Sequence, residues 1–185
     1  MASNSDTEHE YLAKLLNGDA SAFKYFIKTY EDMAFTLAVS IVKDDFVAQE
    51  VVQDAFLKAF KAIKNFNRQA VFKTWFYRIV VNEAFMRLKK LKKDILYFCE
   101  EYEADIADDN LDDLTHNEQT ALVNEAFKLM PATEALVLRL FYIEEESIKQ
   151  VCAITGYTEA NVKVHLHRGR KRMAGIIQQQ KKIRY

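Results

Sequence analysis

Apolar residues recur every three or four positions through most of this chain, the spacing that lines one face of an α-helix. The series Phe23, Phe26, Ile27, Tyr30, Ala34, Leu37, Ala38 and Ile41 predicts one helix ending near Val42. Ahead of it, Ser5 followed three residues later by Glu8 has the form of a capping box and predicts a short helix to about Asn17. Gly18 would stop that helix, and Asp19 stands where it can cap the next. Asp44 or Asp45 is placed to cap a third helix, Phe46–Ile63. Its inward face is Val47, Val51, Ala55, Phe56 and Ala59, and its polar side shows Gln49, Glu50, Gln53, Asp54 and Lys58. A polar loop at 65–70 precedes a fourth helix, about Val71–Lys92. Four such helices predict a bundle.

Periodicity then lapses. Residues 94–117 read as a linker, and helical spacing resumes from Glu118 to Leu129. Pro131 sits where a helix can begin, with a run to about Tyr142 behind it. Ser147 is placed to cap a short helix, Ile148–Thr155, which Gly156 ends, and Thr158 caps a last helix from Glu159 to about Gln179. Two helices around a glycine turn, with Ile148, Val151, Ile154, Val162 and Leu166 to pack them, predict a helix-turn-helix. Cys152 falls where those helices approach and reads as a small buried hydrophobe. Gly169 and Gly175 each cost the last helix about 1 kcal/mol against alanine and predict early fraying. One proline and four glycines in 185 residues agree with a mostly helical protein. The expected architecture is all-α: a bundle over 8–93, an acidic flexible linker over 94–117, and a helix-turn-helix domain over 118–180.

Charge changes the picture. The net charge of −1 conceals four blocks. Residues 1–57 hold 4 basic and 10 acidic side chains, 58–93 hold 11 basic and only Glu83 acidic, 94–127 hold 11 acidic and no Lys or Arg, and 128–185 hold 11 basic and 5 acidic. Such segregation points to polyanion contact at the basic blocks. The two cysteines, Cys99 and Cys152, cannot build a disulfide framework, so a reduced cytoplasmic chain is the default. No membrane span or signal peptide is visible.

Two stretches carry candidate chemistry. Asn65–Lys93 is basic and holds the only tryptophan, Trp75, among four Phe and one Tyr. Positive charge attracts phosphates, and exposed aromatic faces offer platforms for unstacked bases. Trp75, Arg78 and Asn82 lie three and four apart and can share one helix face, while Phe72, Phe76, Ile79 and Val80 read as core. The last helix carries Lys163, His165, His167, Arg168, Arg170, Lys171 and Arg172. Early residues of such a helix reach base edges in the major groove, and later Arg and Lys meet phosphates.

Four motifs in order resemble the sigma factors of bacterial RNA polymerase, of the small extracytoplasmic-function type of the sigma-70 family. Ala48–Phe56, AQEVVQDAF, resembles the polymerase-binding motif A-E-D-[LI]-V-Q-[ED]-x-F. Phe72–Asn82, FKTWFYRIVVN, resembles the promoter-melting motif F-[RK]-T-W-L-Y-R-I-A-x-N. Met130-Pro131 with Val137–Leu140 resembles the start of the fourth region, and Val162–Arg172 its recognition helix. Met86, Val164, Thr155 and Tyr157 depart from the family pattern.

The resemblance implies roles. Gln49, Glu50, Gln53, Asp54 and Phe56 would dock on core RNA polymerase. Asn65, Phe66, Asn67, Arg68, Gln69, Lys73, Trp75, Arg78 and Asn82 would engage promoter DNA near the start site and hold one flipped base. Thr158, Asn161, Lys163, Val164, His167, Arg168 and Lys171 would face the farther upstream element. The resemblance implies no enzyme activity, no cofactor and no small-molecule substrate. It also implies a cytoplasmic protein, nucleoid-associated when active, which an anti-sigma partner, often anchored at the membrane, would hold inactive. A stand-alone helix-turn-helix regulator with a sensing or dimerising bundle would explain 128–185 equally well but leaves 65–93 without a task. For an enzyme the best cluster is His165 with His167, a poor metal pair because i, i+2 residues point to different sides of a helix.

Overall fold

The computed structural model describes the backbone of residues 4–66, 71–94 and 116–184, and the side chains of 7–66, 71–91, 120 and 122–180. Among the described residues there are eight α-helices and no strand. They are α1 (Asn4–Leu16), α2 (Phe23–Val42), α3 (Asp45–Ala62), α4 (Phe72–Asp94), α5 (His116–Leu129), α6 (Ala132–Leu138), α7 (Ile148–Thr155) and α8 (Glu159–Arg184).

Local chemistry sets several of the boundaries. The Asp44 carboxylate accepts from the Val47 backbone N–H at 2.9 Å and starts α3. Lys43, just before it, ends α2 in the left-handed region at φ 62°, its N–H reaching the Val39 carbonyl. Ser147 and Gln150 form a reciprocal capping box at α7, and Gly156 closes that helix at φ 77°. The Thr158 hydroxyl accepts from the Asn161 N–H at 3.2 Å to start α8.

Four expectations change. The first helix already begins at Asn4, so Ser5 lies inside it and Glu8 has other work: its carboxylate accepts the Tyr30 hydroxyl and ties α1 to α2. Asp19 caps a single 3-10 turn, Ala20–Ala22, that leads into α2 rather than α2 itself. The run after Pro131 is not one α-helix. It ends at Leu138 and continues as a π-helical turn, Arg139–Ile143. The last helix does not fray at its glycines but runs to Arg184. Residues 95–115, most of the expected linker, lie outside the described residues, while Asp94 belongs to α4 and His116 and Asn117 to α5.

Helices α2, α3 and α4 pack on one another, with α1 laid against α2. Their centre is aromatic: Phe26 meets Phe72 at 4.3 Å between ring centroids, and Phe56 stacks on Phe76 at 4.5 Å. Full burial of each such ring contributes roughly 2–3 kcal/mol, with a further increment for ring pairs at these distances. In the second half, α8 packs on α5, α6 and α7 around Leu122, Leu136, Leu140, Val151, Ile154, Val162 and Leu166. The halves are not separate bodies. Helix α7 packs on α4, α6 and α5 pack on α2, and the buried residues form one continuous core.

Candidate nucleic-acid interface

Helix α3 buries Ala48, Val51, Ala55 and Ala59 and presents Gln49, Glu50, Gln53 and Asp54 to solvent. Glu50 is also tied to α4 through an ion pair with Arg87, and Lys58 pairs with Glu83 at 2.6 Å. Phe56 is not on the outer side: it is buried beneath Phe23 and Phe76 and serves the core. The outer face has an apolar component that motif reading missed. Phe46, 81% exposed, and the exposed Leu57 and Phe60 follow Glu50 and Gln53 around the helix at spacings of four, three, four and three. The signal was available in the sequence as three apolar residues off the Val47–Val51–Ala55–Ala59 stripe.

On α4 the two faces separate cleanly. Phe72, Phe76, Tyr77, Val80 and Val81 are buried, and Ile79 is half-buried. Arg78 and Asn82 are exposed, flanked along the same face by the exposed Val71 and Met86. Trp75 is half-buried, its ring 5.0 Å from Phe66 and 5.5 Å from Phe72. Phe66 is itself buried and packs on Phe72, so its ring is not free to stack on a base. Of the preceding loop, Asn65 is exposed, while Asn67, Arg68 and Gln69 lie outside the described residues. Lys73 is not free either: its ammonium meets the Glu146 carboxylate at 2.7 Å.

In the helix-turn-helix, Asn161, Lys163, Val164, His167, Arg168 and Lys171 are all exposed on α8, while Val162 and Leu166 hold it against the other helices. Thr158 is exposed at the start of the helix and spends its hydroxyl on the cap. Arg172 turns inward and donates to the buried Glu134 at 2.9 Å, and Arg170 donates to the Tyr142 hydroxyl at 3.0 Å. The Arg172 bond ties α8 to α6 from within, and the Arg170 bond ties it to the π turn at the surface. His165 is half-buried with its ring beside Tyr157, so it supports the turn rather than facing outward with His167. Cys152 is half-buried at that turn. No group of three His, Cys, Asp or Glu side chains among the described residues could hold a metal ion. No described helix is long and apolar enough to cross a membrane.

The chain therefore presents three outward faces: a mixed polar and apolar one on α3, a basic and amide-bearing one on α4, and a basic one on α8. Comparison with known proteins places the first two within one family region and the third within another. The family described as Sigma-70 region 2 matches residues 26–94, and Sigma-70, region 4 matches residues 121–173. The chain is 27% identical over 170 residues to the ECF RNA polymerase sigma factor SigW of Bacillus subtilis (strain 168), which covers 86% of this chain and 91% of that protein. It is 28% identical over 139 residues to the RNA polymerase sigma factor SigV of the same organism, covering 75% and 81%. The fold is shared with the sigma factor RpoE in complex with the anti-sigma factor NepR from Bartonella quintana, at a TM-score of 0.66 and 21% identity over 84% of this chain and 96% of that one. It is shared also with CnrH in complex with the cytosolic domain of CnrY, at a TM-score of 0.67 and 18% identity over 94% and 98%.

Proposed function

The chain belongs to the extracytoplasmic-function group of the sigma-70 family, RNA polymerase sigma factors that direct promoter-specific transcription initiation, and from that premise we propose how its three faces divide the work. The family is non-enzymatic, so the mechanism is binding energy spent on placing polymerase and deforming DNA.

The α3 face, with Gln49, Glu50, Gln53 and Asp54 and the flanking Phe46, Leu57 and Phe60, docks on core polymerase. Exposed apolar rings beside polar groups supply the anchors that a partner can bury. The α4 face, with Arg78, Asn82 and the outer edge of Trp75, meets the promoter near the start site. Arg78 neutralises a phosphate, Asn82 offers an amide to a base edge, and Trp75 offers a ring edge against which an unpaired base can settle. Residues 65–69 contribute through Asn65, Asn67, Arg68 and Gln69, with Phe66 as the buried foot of the loop. On α8, Asn161, Lys163, Val164, His167 and Arg168 read the major groove of the upstream element, and Lys171 meets phosphate. The functional units are residues 8–93 and 118–180, joined by 94–117. The sequence places 11 carboxylates in 94–127, and those charges discourage unproductive nucleic-acid contact there.

The observation that carries this reading is that one chain holds two outward DNA-compatible faces, Arg78–Asn82 on α4 and Lys163–Lys171 on α8, each on the far side of a helix whose apolar side is buried. A lone regulator needs only the second. The separating experiment is a gel shift on a promoter mapped for this chain, with and without core polymerase, followed by run-off transcription. A start-site-specific transcript that requires both chain and core is expected. Tight site-specific binding by the chain alone, with no dependence on core, would favour the regulator.

The solved neighbours in complex with the anti-sigma factor NepR and with the cytosolic domain of CnrY support a protein partner of that kind here, acting on a cytoplasmic sigma factor. Co-purification from native cells at endogenous expression tests it.

A further inference from the structure

The loop before α7 reaches across to the other half of the molecule. The Arg139–Ile143 turn and Glu145, at φ 55°, fold this loop back so that the Glu146 N–H bonds the Leu140 carbonyl at 3.0 Å. That fold drives the Glu146 side chain inward until it is 3% exposed. A run of three glutamates ordinarily lies in solvent, and a buried carboxylate needs a cationic partner. The partner comes from α4: the Lys73 ammonium at 2.7 Å. Lys73 also stands 5.6 Å from the ring of Tyr77, which is buried on the same side of α4. Burial, with the Glu144 and Glu146 carboxylates, raises the Tyr77 phenol far above its ordinary range, which keeps it neutral in this contact. A second tie lies elsewhere on the junction, where the Lys43 ammonium donates to the Phe127 carbonyl at 2.7 Å.

Two consequences follow. Lys73 lies in the first turn of the helix that presents Arg78 and Asn82, yet its charge is paired within the chain and is not available to a phosphate. The helix-turn-helix unit is also held against the bundle, although the two DNA faces have separate elements to reach. The covalent chain does not require this closeness: 21 residues separate the end of α4 at 94 from the start of α5 at 116, a reach of up to about 70 Å when extended. A buried ion pair is close to break-even against solvation of its partners, so it suits a contact that opens better than one that staples.

We propose that Lys73 and Glu146 form an internal latch, in which Glu146 occupies the place of a DNA phosphate on Lys73 and holds the chain in a closed resting arrangement that must open before both DNA faces engage. The latch rests on the assignment of α4 to DNA, and its test separates the two. In a background with Cys99→Ser and Cys152→Ser, Lys73→Cys and Glu146→Cys are joined by a bis-methanethiosulfonate spacer, which a reductant removes. Initiation by the wild-type and released chains, with core polymerase on a mapped promoter, checks the assignment by itself. The latch predicts that the locked sample initiates about tenfold less than the same sample after release, the scale expected when the competent state is excluded from the population. In parallel, Glu146→Gln should bind a labelled single-stranded DNA about fivefold more tightly than wild type by anisotropy, since one competing charge is gone. Small-angle scattering should show it more extended. Locked and released samples that initiate equally would overturn the latch, as would a folded Glu146→Gln protein with unchanged DNA affinity and dimensions.

Discussion

Gly169 of α8 crosses Leu138 of α6 so closely that a β-carbon at position 169 would lie 3.0 Å from both Cγ and Cδ1 of the leucine. This glycine is a notch, and it explains why a residue costing helix stability sits mid-helix. Leu138 is buried and has little room to retreat. For Gly169→Ala, the helix-propensity gain of about 1 kcal/mol opposes an overpacking cost of about 1–3 kcal/mol, so a small net loss is expected. Gly169→Val has no compensating propensity and should lose at least about 2 kcal/mol. Urea denaturation of both variants checks this, and a valine variant as stable as wild type would refute the notch.

A ring stack makes the second prediction. Phe56 lies within the stretch that resembles the family's polymerase-binding motif, yet it faces Phe23 and Phe76 inside the bundle. Phe56→Ala should cost about 3–5 kcal/mol of stability, as large-to-small changes in a packed core do. Phe46→Ala and Gln53→Ala, both at exposed positions, should stay within about 0.5 kcal/mol of wild type and lose affinity for core polymerase instead. Pull-down on core alongside thermal unfolding separates the two classes.

These two cases also mark how far the sequence could be read. The stripes Val51–Ala55–Ala59 and Phe72–Phe76–Val80 were legible because helical period and burial coincide there, and the caps Asp44 and Ser147 were legible because capping is local. Gly169 was misread as a site of fraying because the atom that needs its missing side chain lies 31 residues away. Helical spacing read Phe56 as inward, while the resemblance gave both Phe56 and Phe66 outward roles, because a motif does not say which of its aromatics look inward. Nothing in the sequence singled out Glu146: it is one of three consecutive glutamates, and only the backbone reversal at Glu145 accompanies burial of the third. The buried stripes and several caps of the helices were therefore readable, and the contacts between the two halves were not.

The α4 face gives the third prediction. Trp75→Ala removes a ring that packs on Phe66 and Phe72, so it should lower stability by about 1–3 kcal/mol as well as promoter opening, and by itself it cannot separate the two effects. Asn82→Ala and Arg78→Ala touch exposed side chains only and should leave unfolding within about 0.5 kcal/mol of wild type. If this face opens DNA, Asn82→Ala should reduce permanganate reactivity of the start-site thymines in the polymerase complex. Arg78→Ala should also flatten the salt dependence of binding by about one phosphate contact. Unchanged reactivity in both variants would remove α4 from the promoter.

The last prediction concerns pH. Burial, and next to it the Arg139 charge, push the Lys43 ammonium down from 10.5 to about 8, while it donates to Phe127 across the junction. In the unfolded chain Lys43 keeps its ordinary value, so between about pH 8 and pH 10 the unfolded state binds more protons than the folded state. Stability contributed by this site should therefore rise with pH across that window and be flat below about pH 8, with a slope of at most about 1.4 kcal/mol per pH unit. Tyr30 and Tyr77, raised by burial, act in the opposite sense only as pH climbs past their ordinary value near 10. Lys43→Met isolates the effect. The lost bond to Phe127 shifts its stability by an amount independent of pH, so the difference between wild type and variant should be constant from pH 6 to about pH 8 and then move in favour of wild type. Urea titrations at half-unit steps measure that difference, and a flat line through pH 10 would mean that Lys43 is not buried as a strained cation at the junction.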